Sequence, residues 1–141
     1  MATELWRLTM LDRWRDAALL ALRVATGVFL VDGVWDNVVI AGRMTEFAGF
    51  LGASGFAMPS FWAPFSVYTQ LAFGLLLVLG LLTRWAGIGL IATFIVGIFV
   101  VHWQQSLREI WPALALVVIG AMLATHGAGL FSIDRLFERR R

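Results

Sequence analysis

Cysteine is absent from this chain of 141 residues, and so is lysine. The first absence excludes disulfides, thiolate metal sites and the dithiol relay of membrane thiol oxidases. The second makes all eleven basic residues arginine. Only 14% of the residues are charged, and a net charge of +2 is too small for the pI near 10.4 to signal nucleic-acid binding. Metal-ligand spacing is missing as well. The two histidines, His102 and His126, fall at opposite ends of different apolar segments, about a membrane apart. One chain therefore cannot supply a bis-histidine haem site. Any redox cofactor must be a quinone, come from a partner, or lie between protomers.

What the chain has in quantity is apolar surface: 60% hydrophobic residues and a mean hydropathy of +0.84. Four apolar stretches can be read, at 17–41, 62–82, 85–103 and 110–130. Each is ~20 residues, which at ~1.5 Å per residue spans a hydrocarbon core of ~30 Å. The expected fold is all-α, an integral-membrane four-helix bundle forming one domain over 1–141, with no room for a separate soluble catalytic domain. With the amino terminus inside, Arg7, Arg13, Arg15, Arg84, Arg135, Arg139, Arg140 and Arg141 lie on the inner side and only Arg43 and Arg108 outside. The positive-inside rule thus places both termini in the cytoplasm. The first span does not read as a cleaved leader, because Glu4, Asp12 and Asp16 precede it and Arg23 interrupts it.

Residues 3–15 are expected to form a short amphipathic helix on the membrane surface, with Trp6, Met10 and Trp14 on one stripe. The connection 42–61 is apolar enough to lie on the membrane or dip into it, with a short helix near 45–51. Thr83 and Arg84 alone join the second and third spans, which predicts a tight antiparallel hairpin. Pro59, Pro64 and Pro112 fall near helix ends, where a missing N–H costs least. Trp62, Trp85, Trp103 and Trp111 mark the span ends as an aromatic belt would. Close helix contacts are expected at Gly27, Gly33, Gly74, Gly80, Gly87, Gly97, Gly120, Ala124 and Gly127. Near the carboxyl end, Ser132 can cap a last turn with Asp134 placed favourably against its dipole.

Three segments in register, Arg23-x3-Gly27-x-Phe29-x3-Gly33, Gly74-x5-Gly80-Leu-Leu-Thr-Arg84 and Gly127-Ala-Gly129-x2-Ser132-Ile-Asp134, resemble the DoxX family. The resemblance implies a small, multi-pass, four-helix protein of the bacterial inner membrane, from a family linked to thiosulfate:quinone oxidoreductase and other membrane redox assemblies. It implies a fold more firmly than a reaction. Where the family usually has His-Gly in the first span, this chain has Asp32-Gly33. Where it often has lysine three residues on, this chain has Asp36, and Gln70 replaces a frequent glutamate. A Lys–Glu mechanism therefore does not transfer.

The residues that invite a functional reading are Asp32, Asp36, Asn37, Tyr68, Gln70 and His102, all at similar depth in the outer half. Asp32 and Asp36 share a helix face at i, i+4. A carboxylate at mid-membrane costs about 2.5–3.5 kcal/mol on insertion scales, so a pocket around Asp36, Gln70 and His102 suits a quinone headgroup or a proton. A hydrogen-bonded packing clamp is the competing reading, and His102 serves equally well as an interfacial residue. Arg23 lies ~13 Å below Asp32 on the opposite face. With Asp134 it is expected to be structural, either snorkelling inward or meeting the turn that carries Asp134.

These features point to an accessory or quinone-interacting subunit of a respiratory or redox assembly, with lipid, other membrane or redox subunits, or further copies of itself as partners. With no electron carrier of its own, it is not expected to be an enzyme in isolation, and no catalytic residue is assigned. A small transporter or proton conductor is the alternative, as is a structural or assembly subunit.

Overall fold

The computed structural model describes residues 9–138. A 3-10 turn at Thr9–Trp14 leads into α1 (Arg15–Val39), α2 (Arg43–Ala53), α3 (Pro59–Leu79), α4 (Thr83–Val100), α5 (Leu107–His126) and α6 (Ile133–Glu138). The first span with its lead-in, α3, α4 and α5 are long and apolar enough to cross a membrane. Residues 1–8, with most of the expected surface helix, lie outside the described residues. Its last part is the 3-10 turn, with Met10 and Trp14 exposed.

Local chemistry sets the helix ends two to four residues earlier than hydropathy does. Pro59 begins α3, where its missing N–H removes nothing from the helix. Ser106 and Glu109 form a capping box at α5, with Ser106 N and Oγ donating to Glu109 Oε2 at 2.9 and 2.8 Å. Gly80 (φ 68°) closes α3 in a left-handed conformation that favours glycine. The expected helix near 45–51 is α2, and its buried Leu51 secures it across the loop end of the bundle.

Two antiparallel pairs make the bundle. In α1 the buried positions Leu19, Arg23, Thr26, Gly27, Leu30 and Val34 form one stripe at three- and four-residue steps. This stripe faces α3, where Gly27 meets Gly74. A Cβ built on Gly27 would lie 2.6 Å from the Gly74 carbonyl oxygen. The same contact recurs between α4 and α5, where a Cβ on Gly87 would lie 2.6 Å from the Gly120 oxygen and 2.7 Å from Ala124 N. Without lipid-excluding hydrophobic pressure between helices, such backbone approach is what holds membrane helices together.

The pairs themselves meet less closely. The second and third spans are joined by the expected short turn, at residues 80–82, but α3 packs mainly on α1 and α4 mainly on α5. Leu30, Leu77, Ala86, Leu90, Leu116 and Leu123 fill the layer between them, and Phe73 of α3 lies against Gly89 of α4. Toward the loop end α3 and α4 separate. Gly33 and Gly97, expected at helix contacts, would find no neighbour within 4 Å of an added Cβ. Both lie where the bundle has opened or faces outward.

Candidate functional site

The separation of α3 and α4 creates a cavity of about 410 Å³ beneath α2. Its wall is apolar and aromatic: Phe47, Phe50 and Leu51 from α2, Phe56 from the following loop, and Trp62 and Phe65 from α3. Phe47 and Phe50 stack at 6.5 Å, and Trp62 packs edge-on against Phe65 at 5.5 Å. Such contacts hold large side chains in fixed orientations. Ser66, Thr69 and Gln70 of α3, Thr93 of α4 and His102 beyond it supply the polar part of the lining. Gln70 Nε2 donates to Ser66 Oγ at 3.0 Å, which leaves the Gln70 carbonyl oxygen and one amide hydrogen without a partner in that bond. His102 Nδ1 is 2.7 Å from Gln105 Oε1, which orients the ring.

The sequence candidates thus divide. Gln70 and His102 come together on this cavity, while Asp32, Asp36, Asn37 and Tyr68 do not line it. Asp32, Asp36 and Tyr68 are exposed on outward faces of α1 and α3, and Asn37 is half-buried. The reason lies in α1: the stripe through Gly27, Leu30 and Val34 turns toward α3, and Asp32 and Asp36 fall off it. Among the described residues, no group of three His, Asp or Glu gathers as a metal site.

The opposite end of the bundle carries the densest polar structure, and it converges on the segment after α5. Arg23, 1% exposed, donates from Nη1 to the Ala128 carbonyl at 2.5 Å and from Nη2 to the Phe131 carbonyl at 2.6 Å. Asp16 Oδ1 accepts from Leu130 N at 2.9 Å. Arg84 Nη1 donates to the Ala124 carbonyl at 3.0 Å. Asp134 reaches back to the α3–α4 turn, where its carboxylate accepts from Leu82 N at 2.7 Å and Thr83 N at 2.9 Å. Its own N–H donates to the Gly80 carbonyl.

Asp134 therefore caps α4, a different helix from the one its position in the sequence suggests. Ser132 does cap its own turn, accepting from Arg135 N at 3.3 Å. Leu82 precedes α4 with φ 50°, a conformation costing an L-residue roughly 1–2 kcal/mol, and the Asp134 bond holds it there. Asp134→Ala is expected to destabilise the protein by about 1–2 kcal/mol. Faster amide exchange at Leu82 and Thr83 would accompany that loss, with Asp134→Asn milder because one acceptor remains.

Arg23, Gly80, Thr83, Arg84, Gly127, Gly129, Ser132 and Asp134 thus form one clamp, although they are scattered over the whole sequence. The sequence profile of the DoxX family matches residues 18–103, more than half of the chain. The chain belongs to the DoxX family. The clamp also draws in residues beyond the matched segment, since the carbonyls that bind Arg23 come from 128 and 131. Inner membrane protein YqjF of Escherichia coli strain K12 is 25% identical over 140 residues, covering 92% of this chain and 99% of that protein. No solved structure matches significantly. In this DoxX protein, Arg23, Gly80, Arg84, Gly127, Gly129, Ser132 and Asp134 of the resembling segments build the terminal end, Gly27 and Gly74 meet along the α1–α3 pair, and the cavity lies at the loop end. For Arg23 the sequence left two places, snorkelling inward or meeting the Asp134 turn; its hydrogen bonds go to the carbonyls of Ala128 and Phe131, just before Asp134. The roles of Asp16 and Asp134 as acceptors for distant backbone N–H groups carried no local signal.

Proposed function

We propose that this DoxX protein is an inner-membrane subunit, with both termini cytoplasmic, whose loop-end cavity holds the headgroup ring of a quinone for a partner redox enzyme. The observation that carries this reading is the cavity of about 410 Å³ with an aromatic wall and a short polar edge of Gln70, Thr93 and His102. A quinone ring needs apolar faces on both sides and hydrogen-bond donors for its carbonyl oxygens, and small-molecule sites generally combine those features. Orientation follows from the arginine excess at the terminal end, and the membrane from the relative's name. Proton conduction is less well supported. The two large cavities share no lining residue, and Leu30, Leu77, Leu90 and Leu116 occupy the layer between the helix pairs.

The test is photolabelling of the purified protein in nanodiscs with a short-chain azidoquinone. Label is expected on peptides spanning residues 47–70 and 92–102, competed by unlabelled quinone. Loss of one hydrogen bond, about 1 kcal/mol, should make binding to Gln70→Leu about five-fold weaker. Label spread evenly over lipid-facing helices, unaffected by competitor, would remove the basis for the quinone reading.

A further inference from the structure

The terminal end holds a second cavity, larger and of different chemistry, that the quinone reading does not use. It measures about 630 Å³ and lies among the start of α1, the first turn of α4, the end of α5 and α6. Arg15, Arg84 and Arg135 line it from three different helices, with His126 and Trp85 beside them. We infer that this cavity is a binding site for a phosphate anion, carried by the headgroup of an acidic phospholipid.

The charge balance is the first reason. Arg15 and Arg84, with Arg23 behind the wall, meet only two aspartates, Asp16 and Asp134. Both aspartates are turned to backbone N–H groups of the wall itself, at Leu130, Leu82 and Thr83. The one salt bridge among the described residues, Arg43–Glu46, is at the other end. Arg23 is almost fully buried and its hydrogen bonds go to carbonyls, with Asp134 the carboxylate that acts on its charge. That leaves Arg15 and Arg84 on the cavity without a salt bridge to a described carboxylate, and such cations favour an anion nearby.

The second reason is an orphan donor. Thr83 lines the cavity and is 0% exposed, yet its Oγ1 has no hydrogen-bond partner. Buried hydroxyls without partners are rare, and each calls for an explanation such as a missing ligand. A phosphate oxygen in the cavity would accept from it. Arg15 makes no hydrogen bond or ion pair to another described residue and is exposed, so its guanidinium is available for bidentate contact with such an oxygen.

Place and wall composition favour a lipid over free phosphate as the source. The cavity lies at the ends of the membrane-crossing helices, at headgroup depth, where Trp85 is 69% exposed. Leu19, Leu82 and Leu130 share the lining with the arginines, as acyl chains beside a phosphate require. Basic pockets between helices at this depth are known to hold acidic headgroups.

The experiment is native mass spectrometry of the full chain equilibrated in nanodiscs of phosphatidylglycerol and phosphatidylcholine, with and without millimolar inorganic phosphate. Wild type should retain phosphatidylglycerol preferentially. Arg15→Gln should cut that preference about five-fold, the effect of one surface arginine, and Thr83→Val should lower it while keeping the Asp134 cap. Arg108→Gln, at the opposite end, should change nothing. Displacement of the lipid by inorganic phosphate in wild type but not in Arg15→Gln would support the anion site and make soluble phosphate its source. Equal retention of both lipids with no phosphate effect would overturn the site. So would a preference unchanged in Arg15→Gln and Thr83→Val, or one lost equally in Arg108→Gln. None of these readouts involves quinone, so failure of the quinone site and failure of this one are distinguishable.

Discussion

Arg23→Ala is expected to destabilise the protein by about 3–5 kcal/mol, the largest loss from any single side chain. The guanidinium donates to two carbonyls, and each hydrogen bond involving a charged group contributes about 1.5–3 kcal/mol. Truncation also empties a fully buried volume beside Gly80, a residue with no side chain to refill it. In mild detergent the melting temperature should fall by about 10 °C, and trypsin should gain access to Arg135. Arg23→Lys should recover only part of the loss, since an ammonium cannot match the planar fork that reaches both Ala128 and Phe131. If Arg23→Ala melts within a degree of wild type, the clamp does not hold the carboxyl-terminal segment.

Gly87→Leu should have an effect of similar size by a different route. A Cβ there meets backbone atoms, the Gly120 oxygen at 2.6 Å and Ala124 N at 2.7 Å, and backbone cannot rotate out of the way. The axes of α4 and α5 must separate, which costs about 1–3 kcal/mol for each overpacked site and here disrupts the pair along its length. Loss of a monodisperse peak in size-exclusion chromatography is the expected readout. Gly33→Leu is the control. Nothing lies within 4 Å of its Cβ position, so stability should change by less than about 0.5 kcal/mol. A Gly87→Leu protein that purifies and melts like wild type would mean that the crossing is not made on this glycine.

The four spans were legible because hydropathy over ~20 residues depends on composition, not on which side chain faces where. Their ends were not, because they are set by single features such as Pro59, Gly80 and the Ser106–Glu109 box. Helix facing was harder still. A helix apolar on every side has no strong amphipathic direction, so Asp32 and Asp36 could be put on one face of α1 but that face could not be aimed. The spacing Leu19–Arg23–Gly27–Leu30–Val34 did hold the answer, since a buried arginine and a contact glycine on one stripe mark the inward side. Gln70 and His102 share a cavity because α3 and α4 part, and that follows from Gly27–Gly74 and Gly87–Gly120 pairing across the sequence. No pattern local to the hairpin carries it.

The clamp has a consequence for how the protein is made. Arg23 leaves the ribosome among the first residues of the first span, and its two acceptors follow 105 and 108 residues later. At roughly 5–20 residues per second, the nascent chain carries that charge unpartnered for roughly 5–20 s. During this interval water or lipid phosphate at the translocon must solvate it, and α4 waits about half as long for Asp134, which follows Leu82 by 52 residues. Closure at the terminal end therefore reports that translation has passed residue 134. A ribosome that stalls earlier leaves an arginine without its carbonyls and a helix without its cap, a lesion that a membrane protease can recognise.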